Sequence, residues 1–136
     1  MNQYVLDASA VMRYLKRGPG FEKIAELLRK SSSNEIRLMI SVVNRGEVLH
    51  GLARHAGIQD ATASLRTLSA CLEFVDVRQE EADAAAVLKV KYKLGFADCF
   101  AAELALRKSA TLVTADPEFF KLGKQLKILA LPRYTA

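Results

Sequence analysis

Along the chain, short runs that are apolar at almost every position alternate with longer stretches in which apolar residues recur every three or four. The first pattern predicts strands buried on both faces, the second helices with one core-facing stripe. Residues 3–7 predict a first strand. Ala8 to Arg17, with Val11, Met12 and Leu15 on one face, predicts a helix that Gly18 and Pro19 end. Phe21 to Lys30 repeats the pattern through Ile24, Leu27 and Leu28, and the polar run Ser31 to Glu35 predicts a loop. Leu38 to Ser41 is a second strand, Val43 to Arg54 a helix, and Asp60 to Ala70 another after the interruption at Gly57. Leu72 to Val77 predicts a third strand, and Glu80 to Leu94 and Asp98 to Lys108 two helices parted by Gly95. Thr111 to Ala115 predicts a fourth strand, Pro117 opens a short helix, and Leu126 to Leu131 closes the series as a last strand.

Strands alternating with helices predict an α/β protein: a three-layer α/β/α sandwich around a short central parallel sheet. At 136 residues the chain suits a single domain spanning 1–136, without internal repeat or linker. No apolar run approaches the roughly 18 residues of a membrane span, and the N-terminus lacks the features of a secretory signal, so the expectation is a cytoplasmic protein with no membrane role. Cys71 and Cys99 lie in apolar surroundings without Cys/His spacing, which predicts buried free thiols rather than a disulfide or zinc site.

Ligands of open parallel sheets bind beyond the carboxyl ends of the strands, so acids just after strands carry the chemistry. Asp7 ends the apolar run YVL, Asp116 follows TLVTA, and Glu47 stands six residues after Ser41, in the first two turns of a helix. Asp98, in GFADCFAAELAL, starts a helix that is otherwise almost wholly apolar. Each has a local reading as well: Asp98 as a helix cap, Asp116 before Pro117 as a turn residue, Glu47 as a solvated side chain. Apolar neighbours around Glu47 and Asp98 suggest buried faces, whereas Glu22, Glu26, Glu35, Glu73, Glu80, Glu81 and Asp83 fit the solvated sides of their elements.

Two like charges about 4 Å apart repel by about 4 kcal/mol at an effective dielectric of about 20, so converging carboxylates call for a counter-charge. Oxygen donors without a suitable His or Cys favour Mg²⁺ or Mn²⁺ over zinc. His50 and His55 read as surface or groove residues. Ser9 and Thr114 could add hydroxyl contacts near such an ion or serve as local caps. The net charge is +5, and with the four acids set aside the remainder of the chain carries +9, a basic body around an acidic pit. That distribution suits a polyanion whose backbone is held by cations, for which Arg13, Lys16, Arg17, Arg45 and Arg54 are candidates.

The segments YVLDASAV, ISVVNRGEVLHGL, LGFADCFAAELAL and ATLVTADPEF resemble, in order and spacing, the four acidic motifs of PIN-domain ribonucleases, and the short chain resembles the VapC toxins of toxin-antitoxin pairs. The resemblance spans nearly the whole chain. It implies that Asp7, Glu47, Asp98 and Asp116 are catalytic, metal-binding acids, that Glu103 is a candidate extra acid, and that the activity is metal-dependent endonucleolytic cleavage of single-stranded or loop RNA such as that of tRNA or rRNA. It further implies an antitoxin protein as partner and a homodimer as assembly. Three other functions fit the residues: a non-toxin RNA-processing PIN nuclease, a phosphatase or phosphotransferase with Asp7 as nucleophile, and a non-catalytic PIN-like binding module.

Overall fold

The protein is described here by a computed structural model that covers residues 1–134. Five strands, β1 (Asn2–Leu6), β2 (Ile36–Ser41), β3 (Glu73–Val75), β4 (Thr111–Thr114) and β5 (Ile128–Ala130), form one sheet in the order β3-β2-β1-β4-β5. All four pairings are parallel. Strand order reverses at β1, which lies between β2 and β4, so the loops leaving β1 and β4 diverge there and open a crevice at the carboxyl edge.

Successive residues of each central strand feed opposite cores, as a period of two requires. Val5, Met39 and Leu112 point into one, and Leu6, Leu38, Ile40 and Val113 into the other. The second core is covered by α1 (Ala8–Leu15), α2 (Phe21–Ser32), α3 (Val42–Ala56) and α4 (Ile58–Leu68), through Val11, Ile24, Leu27, Val48 and Leu65. The first is covered by α5 (Gln79–Tyr92), α6 (Phe96–Lys108) and the 3₁₀ segment Pro117–Gln125, through Ala85, Phe100, Leu104, Phe119 and Leu122. The result is the three-layer sandwich expected. Each fully buried Leu or Phe contributes about 1.5–3 kcal/mol, so the two cores carry most of the stability.

Several boundaries differ from the sequence reading. Strand β2 begins at Ile36 rather than Leu38, because Arg37 lies beside Gln3 in register and grips the Glu73 carboxylate through two nitrogens, each at 3.0 Å. Helix α2 runs on to Ser32, so the expected loop is shorter. Glu81, expected to be solvated, is buried: as the third residue of α5 it accepts a bond from the Arg78 amide at 3.1 Å, completing a capping box that folds the carboxylate inward. Cys99 is buried and Cys71 half-buried, both as free thiols. Among the described residues no helix is long and apolar enough to cross a membrane.

Candidate active site

Asp7 is the residue at which β1 becomes α1. Its amide still bonds to Val113 of β4 at 3.3 Å, while its carboxylate caps α1 by accepting from the Ala10 amide at 2.9 Å. It is 2% exposed. Ser9 donates its hydroxyl to Asp7 Oδ1 at 2.7 Å, and Thr114 donates to Oδ2 at 2.5 Å. The same two hydroxyl oxygens accept from the amides of Ala115 and Asp116, each at 2.9 Å. Both readings of Ser9 and Thr114 thus meet: they bond backbone amides, and through that bond they tie the turn carrying Asp116 to the carboxylate of Asp7. Burial raises the Asp7 pKa, the bonds from Thr114, Ser9 and Ala10 oppose the rise, and the charge on Asp116 adds to it.

Asp98 lies in the first turn of α6, and its pKa is raised to about 6. Burial is the largest cause, followed by the charges of Asp116, Asp7, Glu47 and Glu118. Four carboxylates from three segments of the chain therefore act on this one, and the three partners expected from the sequence are among them. Glu118 is the addition. It follows Asp116, whose Oδ1 caps the 3₁₀ segment by accepting the Glu118 amide at 2.9 Å, and it pairs with Lys121 at 2.5 Å.

Glu47 is exposed, contrary to the buried face expected for it. Its orientation comes instead from Asn44, one helical turn earlier, a residue the sequence reading passed over. The Asn44 side chain is completely buried and donates from Nδ2 to Glu47 Oε1 at 2.9 Å and to the Ala97 carbonyl at 3.0 Å. Two acceptors on one amide nitrogen fix which way the group points. Asn44 thereby fastens the Glu47 helix to the turn of α6 just before Asp98. The signal was legible: an Asn and a Glu three residues apart share a helix face, and Asn44 stands four residues before Val48, on the face that meets the core, where a polar side chain needs a partner.

Two other expectations fail. Arg13 is buried, donates to the carbonyls of Pro19 at 2.9 Å and Pro132 at 2.6 Å, and lies 4.3 Å from the centre of the Tyr134 ring; it is a structural clamp and cannot reach a polyanion. Glu103 is buried beside Ala84 and Leu88 of α5 and bound to Arg107 at 2.8 Å, so its carboxylate is already neutralised on the α5 side of the helix and is no extra acid of this site. Lys16, Arg17 and Arg54 are exposed, although Arg17 rests over the Phe21 ring, and Arg45 lies over Phe74 at 5.0 Å. His50 and His55 are exposed, as read.

Among the described residues, no three of His, Cys, Asp and Glu stand ready to ligate a metal as their side chains are now placed. Mg²⁺ keeps several of its waters and is commonly held by one or two carboxylates, so a preformed triad is not a requirement. The donors fit such an ion: all are oxygens, Asn44 Oδ1 beside Glu47 is buried with no bonding partner, and Asp98 is strained by its neighbours' negative charge in a way a cation would relieve.

A parallel sheet ordered 3-2-1-4-5, covered on both faces, with acids from four segments at its switch point, defines a class of proteins. The chain belongs to the PIN domain family, whose description matches residues 4–125. Comparison with curated protein sequences finds no match. Among solved structures, the fold is shared with VapBC2 from Rickettsia felis bound to a DNA fragment from their promoter, at 21% identity over 96% of this chain and 99% of that one, TM-score 0.73. DNA-bound VapBC from Salmonella typhimurium is 18% identical over 96% and 98% of the two chains, TM-score 0.74. VapC20 of Mycobacterium tuberculosis, a sarcin-ricin loop cleaving toxin, is 19% identical over 95% and 99%, TM-score 0.69.

Proposed function

We propose that the protein is a Mg²⁺- or Mn²⁺-dependent endoribonuclease and the toxin of a type II toxin-antitoxin pair, with residues 1–136 working as one cytoplasmic domain. The observation that carries the reading is how the acids are tied together: Thr114 joins the Asp7 carboxylate to the amide of Asp116, Asn44 joins Glu47 to the turn before Asp98, and the charges of all three push the Asp98 pKa up. A purely structural role would gain nothing from gathering repelling charges at a half-buried rim. Membership of the PIN family and the likeness to VapC20, a sarcin-ricin loop cleaving toxin, support the chemistry, and the likeness to VapBC complexes supports a protein antitoxin as partner. A homodimer is the assembly that goes with this reading.

The divalent ion, when bound, would neutralise charge building on the scissile phosphate and lower the pKa of water. Asp7, Glu47, Asp98 and Asp116 are the groups that would hold it. Asp7 keeps both oxygens in fixed directions through Ser9, Thr114 and the α1 amide, so its position does not depend on the ligand. Asp98, titrating near 6, can hold a proton or give one up within the physiological range. The same geometry disfavours a phosphotransferase: a carboxylate that is 2% exposed and already accepts three hydrogen bonds is a poor nucleophile.

Calorimetric titration of Mn²⁺ into the wild type and Asp98→Asn, followed by incubation of both with RNA, tests the reading. The substitution should weaken metal binding and abolish cleavage with the fold intact; wild-type cleavage by the Asn form would overturn it. Mapping new 5′ ends in total RNA after brief expression, with Asp98→Asn as control, separates a toxin with a discrete target from a general processing enzyme.

A further inference from the structure

Beside the acidic rim, Thr114, Asp116, Pro117, Phe120, Leu131 and Arg133 line a small open depression of about 90 Å³. Two of its walls belong to the site already described: Thr114 holds Asp7, and Asp116 acts on Asp98. The other feature is an aromatic residue that the core does not need. Of the adjacent pair Phe119 and Phe120, the first is fully buried and the second is 58% exposed. Phe96, also exposed, packs edge-to-face on Phe100 with ring centres 5.2 Å apart, whereas among the described residues Phe120 stacks on no other ring. Arg133 is exposed and makes no ion pair among the described residues, while the nearby Lys121 is neutralised by Glu118.

We infer that this depression is a nucleotide subsite, in which one base of a single-stranded RNA stacks on Phe120 while Arg133 takes the adjoining phosphate. The inference rests on the nuclease reading and extends it to how the strand is held. A depression of about 90 Å³ has the scale of one planar ring rather than of a helix. A flat apolar face beside an unpaired guanidinium is the pairing that single-stranded nucleic acid uses: stacking accepts any base, and the cation meets the backbone. Continuity with Asp116 means that a strand seated here runs directly past the acids, so the subsite sets which phosphate reaches them. An apolar side chain of a protein partner is the competing occupant, but it would leave Arg133 without a counter-charge.

The test measures the affinity of a short fluorescein-labelled single-stranded RNA by anisotropy in EDTA, so that binding is read without cleavage. Phe120→Leu should weaken binding roughly 5- to 100-fold, the loss expected for one stacked base, whereas Phe120→Trp, which keeps an aromatic face, should bind like the wild type. Arg133→Ala should weaken binding and flatten its dependence on salt by about one phosphate contact. Mn²⁺ affinity should be unchanged in all three variants. Wild-type RNA affinity in Phe120→Leu, or a loss that Phe120→Trp shares, overturns the subsite and leaves the face to a protein partner. If the wild type cleaves no RNA yet the Leu and Trp variants differ as expected, the subsite stands and the nuclease reading falls.

Discussion

The side chain that most repays attention among those positioning the acids is Asn44, because it serves two elements at once. Its two donated bonds hold the Glu47 carboxylate and the carbonyl before Asp98, and their loss would leave both groups to find new partners. Asn44→Ala should therefore lower Mn²⁺ affinity by about 10- to 100-fold, the cost typical of removing a group that orients a ligand, while circular dichroism shows a folded protein. Unchanged affinity would show that Glu47 needs no such support. Asp7, Asp98 and Asp116 stood out in the sequence as candidates because each ends or begins an element at the expected edge, and Glu47 because it lies within two turns of that edge. Glu118 was hidden because nothing in PEFF distinguishes a charge near the site from one in solvent. Arg13 and Glu103 were misjudged for different reasons: one acceptor of Arg13 is a carbonyl 119 residues away, where no local pattern points, whereas Glu103 pairs with Arg107 one helical turn on, a spacing that favours an ion pair over a place in the site.

At the scale of elements, the site is an arrangement of helix starts. Helices α1 and α6 and the 3₁₀ segment begin at or beside an acid, whose charge meets the positive end of each backbone dipole. Gly95, in front of α6, read from sequence only as a separator. Its neighbour in space gives it another role: a methyl group added there would meet Asp98 Oδ2 at 3.2 Å, tighter than packing normally allows. The backbone of Gly95 is in an ordinary region, so alanine is tolerated and the pressure falls on the carboxylate. Gly95→Ala should thus leave the melting temperature nearly unchanged and reduce RNA cleavage by about tenfold, the scale expected when a catalytic group is displaced by a fraction of an ångström. An equal loss of stability and activity would mean that the helix, not the acid, had moved. Helix α6 also explains why sequence periodicity was weak there: packed between the sheet and α5, it is buried at Cys99 through Ala105 and shows no polar stripe. The strands, by contrast, were legible in type and place along the chain because parallel strands buried on both faces are mostly apolar. Only their ends escaped, as at Arg37, whose charge is satisfied across the sheet.

For the molecule as a whole, gathering acids at one rim carries a stability cost that depends on pH. Asp98 titrates at about 6 in the folded protein against 3.8 for the free side chain, so the native state binds its proton more tightly than the unfolded chain does. The metal-free fold is consequently penalised above pH 6, and the penalty disappears as pH falls through 6 toward 3.8. The shift corresponds to about 3 kcal/mol at most, reduced by solvent at a half-buried carboxyl. Without metal, Asp98→Asn should melt a few degrees above the wild type at pH 7.5, and the gap should narrow as pH falls through 6 and close below 3.8. Mn²⁺ should raise the melting temperature of the wild type, and not of the variant, at pH 7.5. A gap independent of pH would place the repulsion elsewhere. Stability and chemistry thus pull against each other at the rim, while the apolar cores beneath it supply stability that does not vary with pH. The clamp on Arg13 gives the far end of the polypeptide a matching importance. Because one of its two carbonyl acceptors belongs to Pro132 and the Tyr134 ring lies against it, a stop codon placed just after β5 would leave the Arg13 guanidinium with the Pro19 carbonyl alone, forfeiting about 1.5–3 kcal/mol for the lost bond and loosening the helix that Asp7 begins. What looks in the gene like a dispensable tail is the anchor of the first helix.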